Sequence, residues 1–130
     1  HAAGGDDAIM RGEDGDISEG ATSNVFVVRA GAIATPHLAA GLLAGITRSV
    51  VCELAAELSM PVAEQRVAET MLHAADEMFL TSSVRGIMPV TSLSGVAVGD
   101  GRVGPVTQRL IARYAQYIED WAEGRAGLRP

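Results

Sequence analysis

Several residue types are scarce or absent in this 130-residue sequence, and each scarcity limits the chemistry or the packing of the protein. All ten Lys-or-Arg residues are arginines, so the chain has no lysine to act as a nucleophile. Cys52 is the only cysteine, which excludes an intrachain disulfide. It falls in an apolar, helix-like pattern, which favours a buried structural thiol over a reactive one. Aromatic residues make up 4% of the chain, so aliphatic side chains and alanine must fill the core.

Charge and hydropathy exclude further partners. The net charge of −6 argues against nucleic acid as a partner, because phosphate backbones require a basic surface. No apolar run approaches the roughly 18 residues that a membrane span requires. No signal peptide is visible, so we expect a cytoplasmic protein with no membrane partner. The acidic run at 13–16 lacks the spacing of a calcium loop, so no metal site is predicted.

Strand patterns dominate the first half of the chain and favour an α+β fold with a mixed, partly closed sheet flanked by helices. An apolar, β-branched run at 24–28 and its return at 32–35 indicate a hairpin around a tight turn at 29–31. Shorter strands are expected at 6–10, 62–67, 77–80, 86–91 and 95–98.

Helical periodicity appears in three places. Apolar residues indicate an amphipathic helix over 48–59, with Thr47 as its expected N-cap. A short helix is expected at 68–75. The last helix follows Pro105 and runs to Trp121, whose spacing with the preceding apolar residues predicts a core or interface position.

Polar and glycine-rich motifs occupy three stretches in order. Residues 18–26, SEGATSNVF, place one carboxylate, Glu19, at a turn before a strand. Residues 44–48, AGITR, lead from a glycine turn into a helix start, and residues 80–87, LTSSVRGI, form a hydroxyl-rich loop. A helix N-terminus and hydroxyls suit a phosphate, and a carboxylate suits a protonated ring nitrogen. The set therefore suits a ligand that carries both groups.

The ordered motifs E-G-x-x-S-N-x-F, G-I-T-R and T-S-S-x-x-G-I-x-P-V resemble those of the class IV pyridoxal-phosphate aminotransferases. That family includes D-amino acid and branched-chain aminotransferases and aminodeoxychorismate lyase. The resemblance covers about residues 1–121. It implies a pseudobarrel flanked by helices, pyridoxal 5'-phosphate as cofactor, an amino acid and a 2-oxo acid as substrates, and a homodimer.

The resemblance also implies roles for individual residues. Glu19 would partner the protonated pyridine nitrogen, although an exposed turn glutamate is the alternative. Leu43 would pack on one face of the cofactor ring, although a plain core leucine is the alternative. Thr47 suits phosphate binding and helix capping together. The residues that match the family's cofactor-binding positions are Glu19, Leu43, Gly45, Ile46, Thr47, Ser82 and Ser83.

Four further residues have supporting or open roles. Ser23 and Asn24 would brace the Glu19 turn. Arg48 is the nearest basic candidate for the phosphate, with bracing of the loop as the alternative. Arg85 is a candidate for contact with a substrate carboxylate, and a surface arginine is the alternative.

The missing lysine changes what the resemblance implies. The family's chemistry runs through a lysine that forms a Schiff base with the cofactor, and in relatives it lies upstream of the segment aligned with His1. The chain has no lysine and no starting methionine, so we expect the C-terminal, cofactor-binding part of a longer enzyme, inactive alone and with no catalytic residue of its own. Residues 1–123 would form that domain and 124–130 a frayed tail.

Three other hypotheses remain open. A lyase of the same family would use the same motifs. A non-catalytic binding or structural module would have kept the fold and lost the lysine. An unrelated acidic protein-interaction domain would show no affinity for pyridoxal phosphate.

Overall fold

A computed structural model describes residues 9–11, 17–20, 24–36, 45–82 and 85–123, and the statements below concern these ranges. None of the helices in these ranges combines the length and apolar character that crossing a bilayer requires. The elements in chain order are β1 (Ile9–Arg11), β2 (Ile17–Gly20), β3 (Asn24–Arg29), β4 (Ala32–Thr35), α1 (Ile46–Glu57), β5 (Val62–Glu64), α2 (Glu69–Ala74), β6 (Glu77–Ser82), β7 (Gly86–Pro89), β8 (Ser92–Leu93), β9 (Val96–Ala97) and α3 (Pro105–Ala122).

The central feature is a five-stranded sheet in the order β5-β4-β3-β6-β7. Strands β4 and β5 run parallel, whereas the other neighbouring pairs are antiparallel. The predicted α+β class, with a mixed sheet and flanking helices, is confirmed. The predicted partial closure into a pseudobarrel is not found within the described residues, where the sheet is open and β5 and β7 form its edges.

The hairpin of β3 and β4 forms where the sequence predicts it. Its turn residues Ala30 and Gly31 have φ of 52° and 80°, the left-handed conformation that two-residue hairpin turns require. The carboxylate of Asp76 accepts a hydrogen bond of 2.7 Å from the Ala30 amide. This bond satisfies a turn donor that the strand ladder leaves free.

Alternation along β3 and β6 divides the core between the two faces of the sheet. On one face Phe26 and Phe79 are fully buried, and their rings stack with centroids 4.8 Å apart. Val51 of α1 and Leu110 of α3 pack in the same cluster. The intervening residues of both strands point to a second cluster, which includes Leu72 of α2. Because both faces are covered, the central strands read as continuous apolar runs.

The helix boundaries differ from the predictions in an informative way. Helix α1 begins at Ile46, with Gly45 as its N-cap in an extended conformation. The prediction that Thr47 is the N-cap was therefore wrong, since Thr47 is the second helical residue and is buried. Trp121 is 53% exposed, so it is not a core residue of this chain. The buried residues of α3, Thr107 and Leu110, both lie in its first two turns.

Candidate cofactor site at one end of the sheet

The start of β3, the end of β6 and the start of α1 lie together at one end of the sheet. Asn24 begins β3 and pairs with Thr81 near the end of β6. A Cβ placed on Gly45, the N-cap of α1, would overlap Oδ1 of Asn24. Two motifs of the sequence thus meet here, and the hydroxyl-rich loop begins beside them at Ser82.

Backbone amides at the N-terminus of α1 have the chemistry to bind an anion. No side chain caps it within the described residues, and its first internal backbone bond runs from the Ser49 amide to the Gly45 carbonyl. The amides of Ile46 and Thr47 precede that bond, so the helix leaves their donors without an internal acceptor. The Ile46 side chain is 80% exposed. The helix dipole adds positive potential at these donors.

Helix α3 shows the contrast, because the protein fills that helix end itself. Glu77, buried at the start of β6, accepts hydrogen bonds at 2.7 Å from the amide and from the hydroxyl of Thr107. It accepts a further bond of 3.2 Å from the Val106 amide. A buried carboxylate therefore caps α3, whereas no side chain of the described residues caps α1.

Arg48 is buried immediately beside these amides. Its Nη2 donates to the Pro36 carbonyl at 3.0 Å and lies 3.1 Å from Oε1 of Glu64. These contacts join the first turn of α1 to the ends of β4 and β5. Such contacts suit a bracing role, because the guanidinium bonds to groups of the protein itself.

Thr81 is a polar residue of this end that sequence reasoning missed. It is fully buried, and its Oγ1 has no hydrogen-bond partner within the described part of the chain. A buried hydroxyl without a partner is costly, so such atoms often mark a position that a ligand or water satisfies. The strand pairing that sets Thr81 opposite Asn24 gives it this position, and the pairing register was not available from the sequence.

One hydroxyl at the loop after β6 is already hydrogen-bonded within that loop. The Ser82 hydroxyl accepts a hydrogen bond of 2.9 Å from the Arg85 amide. The Arg85 guanidinium lies 3.8 Å from Sδ of Met88. Arg85 is therefore placed at the turn between β6 and β7, and its predicted contact with a substrate carboxylate stays a prediction.

Four predicted site residues are beyond what the structure describes in full. Glu19 lies in β2, where its backbone pairs with Met10 of β1. The position of its carboxylate is outside the described part, as are Ser23, Leu43 and Ser83. Their predicted roles remain predictions.

Cys52 lies one helical turn beyond Arg48. Burial raises the pKa of its thiol, an effect that the Arg48 charge partly opposes and that the charges of Glu64 and Glu53 reinforce. The thiol is half-buried. The raised pKa agrees with a structural rather than a reactive cysteine.

Comparison with known proteins gives a consistent result. A family model described as amino-transferase class IV matches residues 1–93. The chain is 39% identical to the probable branched-chain-amino-acid aminotransferase of Thermotoga maritima over 94% of this chain and 45% of that protein. It is 44% identical to the branched-chain-amino-acid aminotransferase of Escherichia coli over 75% of this chain and 31% of that protein.

Solved structures agree with the sequence matches. The Escherichia coli branched-chain amino acid aminotransferase superposes with a TM-score of 0.83 at 40% identity, over 85% of this chain and 36% of that one. The T.th. enzyme complexed with N-(5'-phosphopyridoxyl)-L-glutamate gives 0.84 at 34% identity, over 95% and 40%. The chain thus spans less than half the length of these relatives.

Proposed function

The chain belongs to the class IV aminotransferase family, and we propose that it is the cofactor-binding part of a pyridoxal-phosphate-dependent aminotransferase. The complete enzyme would transfer an amino group between an amino acid and a 2-oxo acid. The T.th. relative, complexed with a phosphopyridoxyl derivative of an amino acid, supports both the cofactor and the substrate class. The names of the relatives, which are branched-chain aminotransferases, support a branched-chain amino acid as the donor. They also support aminotransfer over the lyase reaction.

The N-terminus of α1, which no side chain of the described residues caps, is the observation that carries this proposal. Its first two amides, those of Ile46 and Thr47, would hold the cofactor phosphate. The close approach of Asn24 to Gly45 leaves no room for a side chain at the N-cap. The Thr81 hydroxyl, which has no hydrogen-bond partner among the described residues, adds a polar atom at the same end of the sheet. These donors fit a phosphate group.

The remaining roles follow the family positions. When bound, the cofactor supplies an electron-withdrawing ring that stabilises negative charge on the substrate carbon. Glu19 would hold the proton on the pyridine nitrogen by a charge-assisted hydrogen bond. Leu43 would pack on the ring, Ser82 and Ser83 would assist at the phosphate, and the same proposal includes a domain over 1–123 that assembles as a homodimer.

The proton transfers of the reaction need a group that this chain lacks. All its Lys-or-Arg residues are arginines, so the lysine of the family would come from a part of the protein outside this sequence. We therefore expect this chain alone to bind the cofactor without transferring amino groups.

A pair of variants at Ile46 tests the phosphate site. Ile46→Pro removes the first amide donor while keeping a residue that helices accept at this position, and the extended Gly45 backbone tolerates a following proline. Ile46→Ala keeps the amide and is the matched control for loss of the side chain. The ligands are pyridoxamine 5'-phosphate and pyridoxamine, which differ only in the phosphate and lack a reactive aldehyde. Affinities are measured by equilibrium dialysis.

We expect the natural chain to bind the phosphorylated ligand at least about tenfold more tightly than the other. Ile46→Pro should bind it about tenfold more weakly than Ile46→Ala, because one charge-assisted hydrogen bond is lost. Equal affinity of the natural chain for the two ligands would contradict the proposal, as would equal phosphate binding by the two variants.

A further inference from the structure

Arg48 occupies a position that helix stability does not account for. It lies in the first turn of α1, where the helix dipole disfavours a cation. Its side chain is only 4% exposed, and burying a charge carries a large desolvation cost. Its buried Nε has no hydrogen-bond partner within the described residues. The stability of the helix itself therefore does not explain a buried cation at this helix end.

The contacts of Arg48 hold three elements in register. Nη2 alone bonds the Pro36 carbonyl, just after β4, and contacts Glu64 at the end of β5. Strands β4 and β5 are tied at the same place, since Thr35 pairs with Glu64 and its carbonyl accepts from the Gln65 amide at 2.9 Å. The first turn of α1 is therefore fastened to a parallel strand pair.

We propose that Arg48 is a positioning residue for the cofactor phosphate, acting through the backbone amides of α1 and not through contact with the phosphate. The inference rests on the proposed function. Ile46 and Thr47 immediately precede Arg48, so the clasp with Pro36 and Glu64 sets where their amides lie against the sheet end. Phosphate affinity depends steeply on such placement, because preorganised donors lose little freedom on binding.

Positioning and direct charge attraction predict opposite effects at Glu64. If the clasp positions the amides, Glu64→Gln weakens it and phosphate binding declines. If the guanidinium instead attracted the phosphate directly, Glu64→Gln would release it from a competing anion and binding would tighten. Glu64 is 47% exposed at its side chain, so the fold should tolerate this substitution even if Arg48→Gln does not fold.

The test compares Arg48→Gln, Glu64→Gln and the control Arg102→Gln, which alters an exposed arginine in the loop before α3. Dissociation constants for pyridoxamine 5'-phosphate and pyridoxamine are measured by equilibrium dialysis, with thermal midpoints recorded for each variant. We expect Arg48→Gln to weaken phosphate-ligand binding about tenfold and Glu64→Gln about threefold, with pyridoxamine binding unchanged within about twofold. Arg102→Gln should match the natural chain.

Four results would overturn the inference. Tighter phosphate binding by Glu64→Gln would show direct charge attraction. Equal losses for both ligands in the Glu64 variant, accompanied by a lower thermal midpoint, would show a purely structural role. If the natural chain prefers the phosphorylated ligand and both Arg48→Gln and Glu64→Gln keep that preference, the positioning role is refuted while the proposed function stands. Absence of that selectivity in the natural chain would refute the proposed function, and the positioning role with it.

Discussion

Adding a methyl group at Gly45 tests the contact that joins β3 to α1. Gly45 has φ −87° and ψ 141°, a conformation open to every residue. If the space beside it were free, Gly45→Ala would stabilise the fold by about 0.4–1 kcal/mol, since alanine restricts the unfolded chain. The new Cβ would instead overlap Oδ1 of Asn24. Overpacking of buried positions costs about 1–3 kcal/mol, so we expect a net loss of about 1–2 kcal/mol.

Removal of Asn24 should relieve the collision. Asn24→Ala alone should cost about 1 kcal/mol, because Asn24 is a buried polar residue with an interaction of its own. In the double variant the added methyl group has room, so the two losses should not add. We expect a favourable coupling of about 1–2 kcal/mol between the two substitutions.

The assay is urea unfolding of the natural chain, both single variants and the double variant, followed by circular dichroism. If the denaturant slopes are the same for all four proteins, their free energies of unfolding can be compared directly. Additivity within about 0.5 kcal/mol would refute the contact between Asn24 and Gly45. A stabilised Gly45→Ala variant would refute it as well.

Two further predictions concern groups outside the cofactor site. Glu77→Gln should lower the free energy of unfolding by about 2–3 kcal/mol, because a charged acceptor of the Thr107 amide and hydroxyl becomes neutral; thermal melting should show no such loss for Glu119→Gln, an exposed change on the same helix. Burial holds the pKa of the Cys52 thiol above its ordinary 9.0, so its stabilising contribution is complete below that pH and declines as the pH rises further. The reaction of iodoacetamide with Cys52 should therefore begin at a higher pH in the folded chain than in the unfolded chain. Glu64→Gln should lower the pH at which the folded chain begins to react, and an equal onset in the two folded proteins would contradict this prediction.

Local sequence signals predicted the elements whose causes are local. The hairpin of β3 and β4 depends on a short turn with Gly31 between two β-branched runs, and all of that lies within a dozen residues. The start of α3 was likewise visible, because Pro105 suits the first helical turn. The family motifs added the fold, since the order of sheet and helices is shared with relatives whose structures superpose closely.

Features that depend on distant contacts were not predictable in this way. Glu77 reads as an ordinary strand-start glutamate, and its role as the cap of α3 depends on Thr107, 30 residues further on. Thr81 acquires its position from its pairing with Asn24 across β3 and β6. Trp121 has the spacing of a core residue, but periodicity identifies the apolar face of a helix without supplying the surface that covers it.

The binding of the cofactor phosphate by the first turn of α1 is the central claim, and nuclear magnetic resonance tests it most directly. The ¹⁵N-labelled chain is titrated with pyridoxamine 5'-phosphate and, separately, with pyridoxamine. We predict saturable shifts of the Ile46 and Thr47 amide signals with the phosphorylated ligand, and much smaller shifts of the same signals with pyridoxamine. Saturable binding that leaves these two amides unmoved, or that perturbs them equally with both ligands, would contradict the claim.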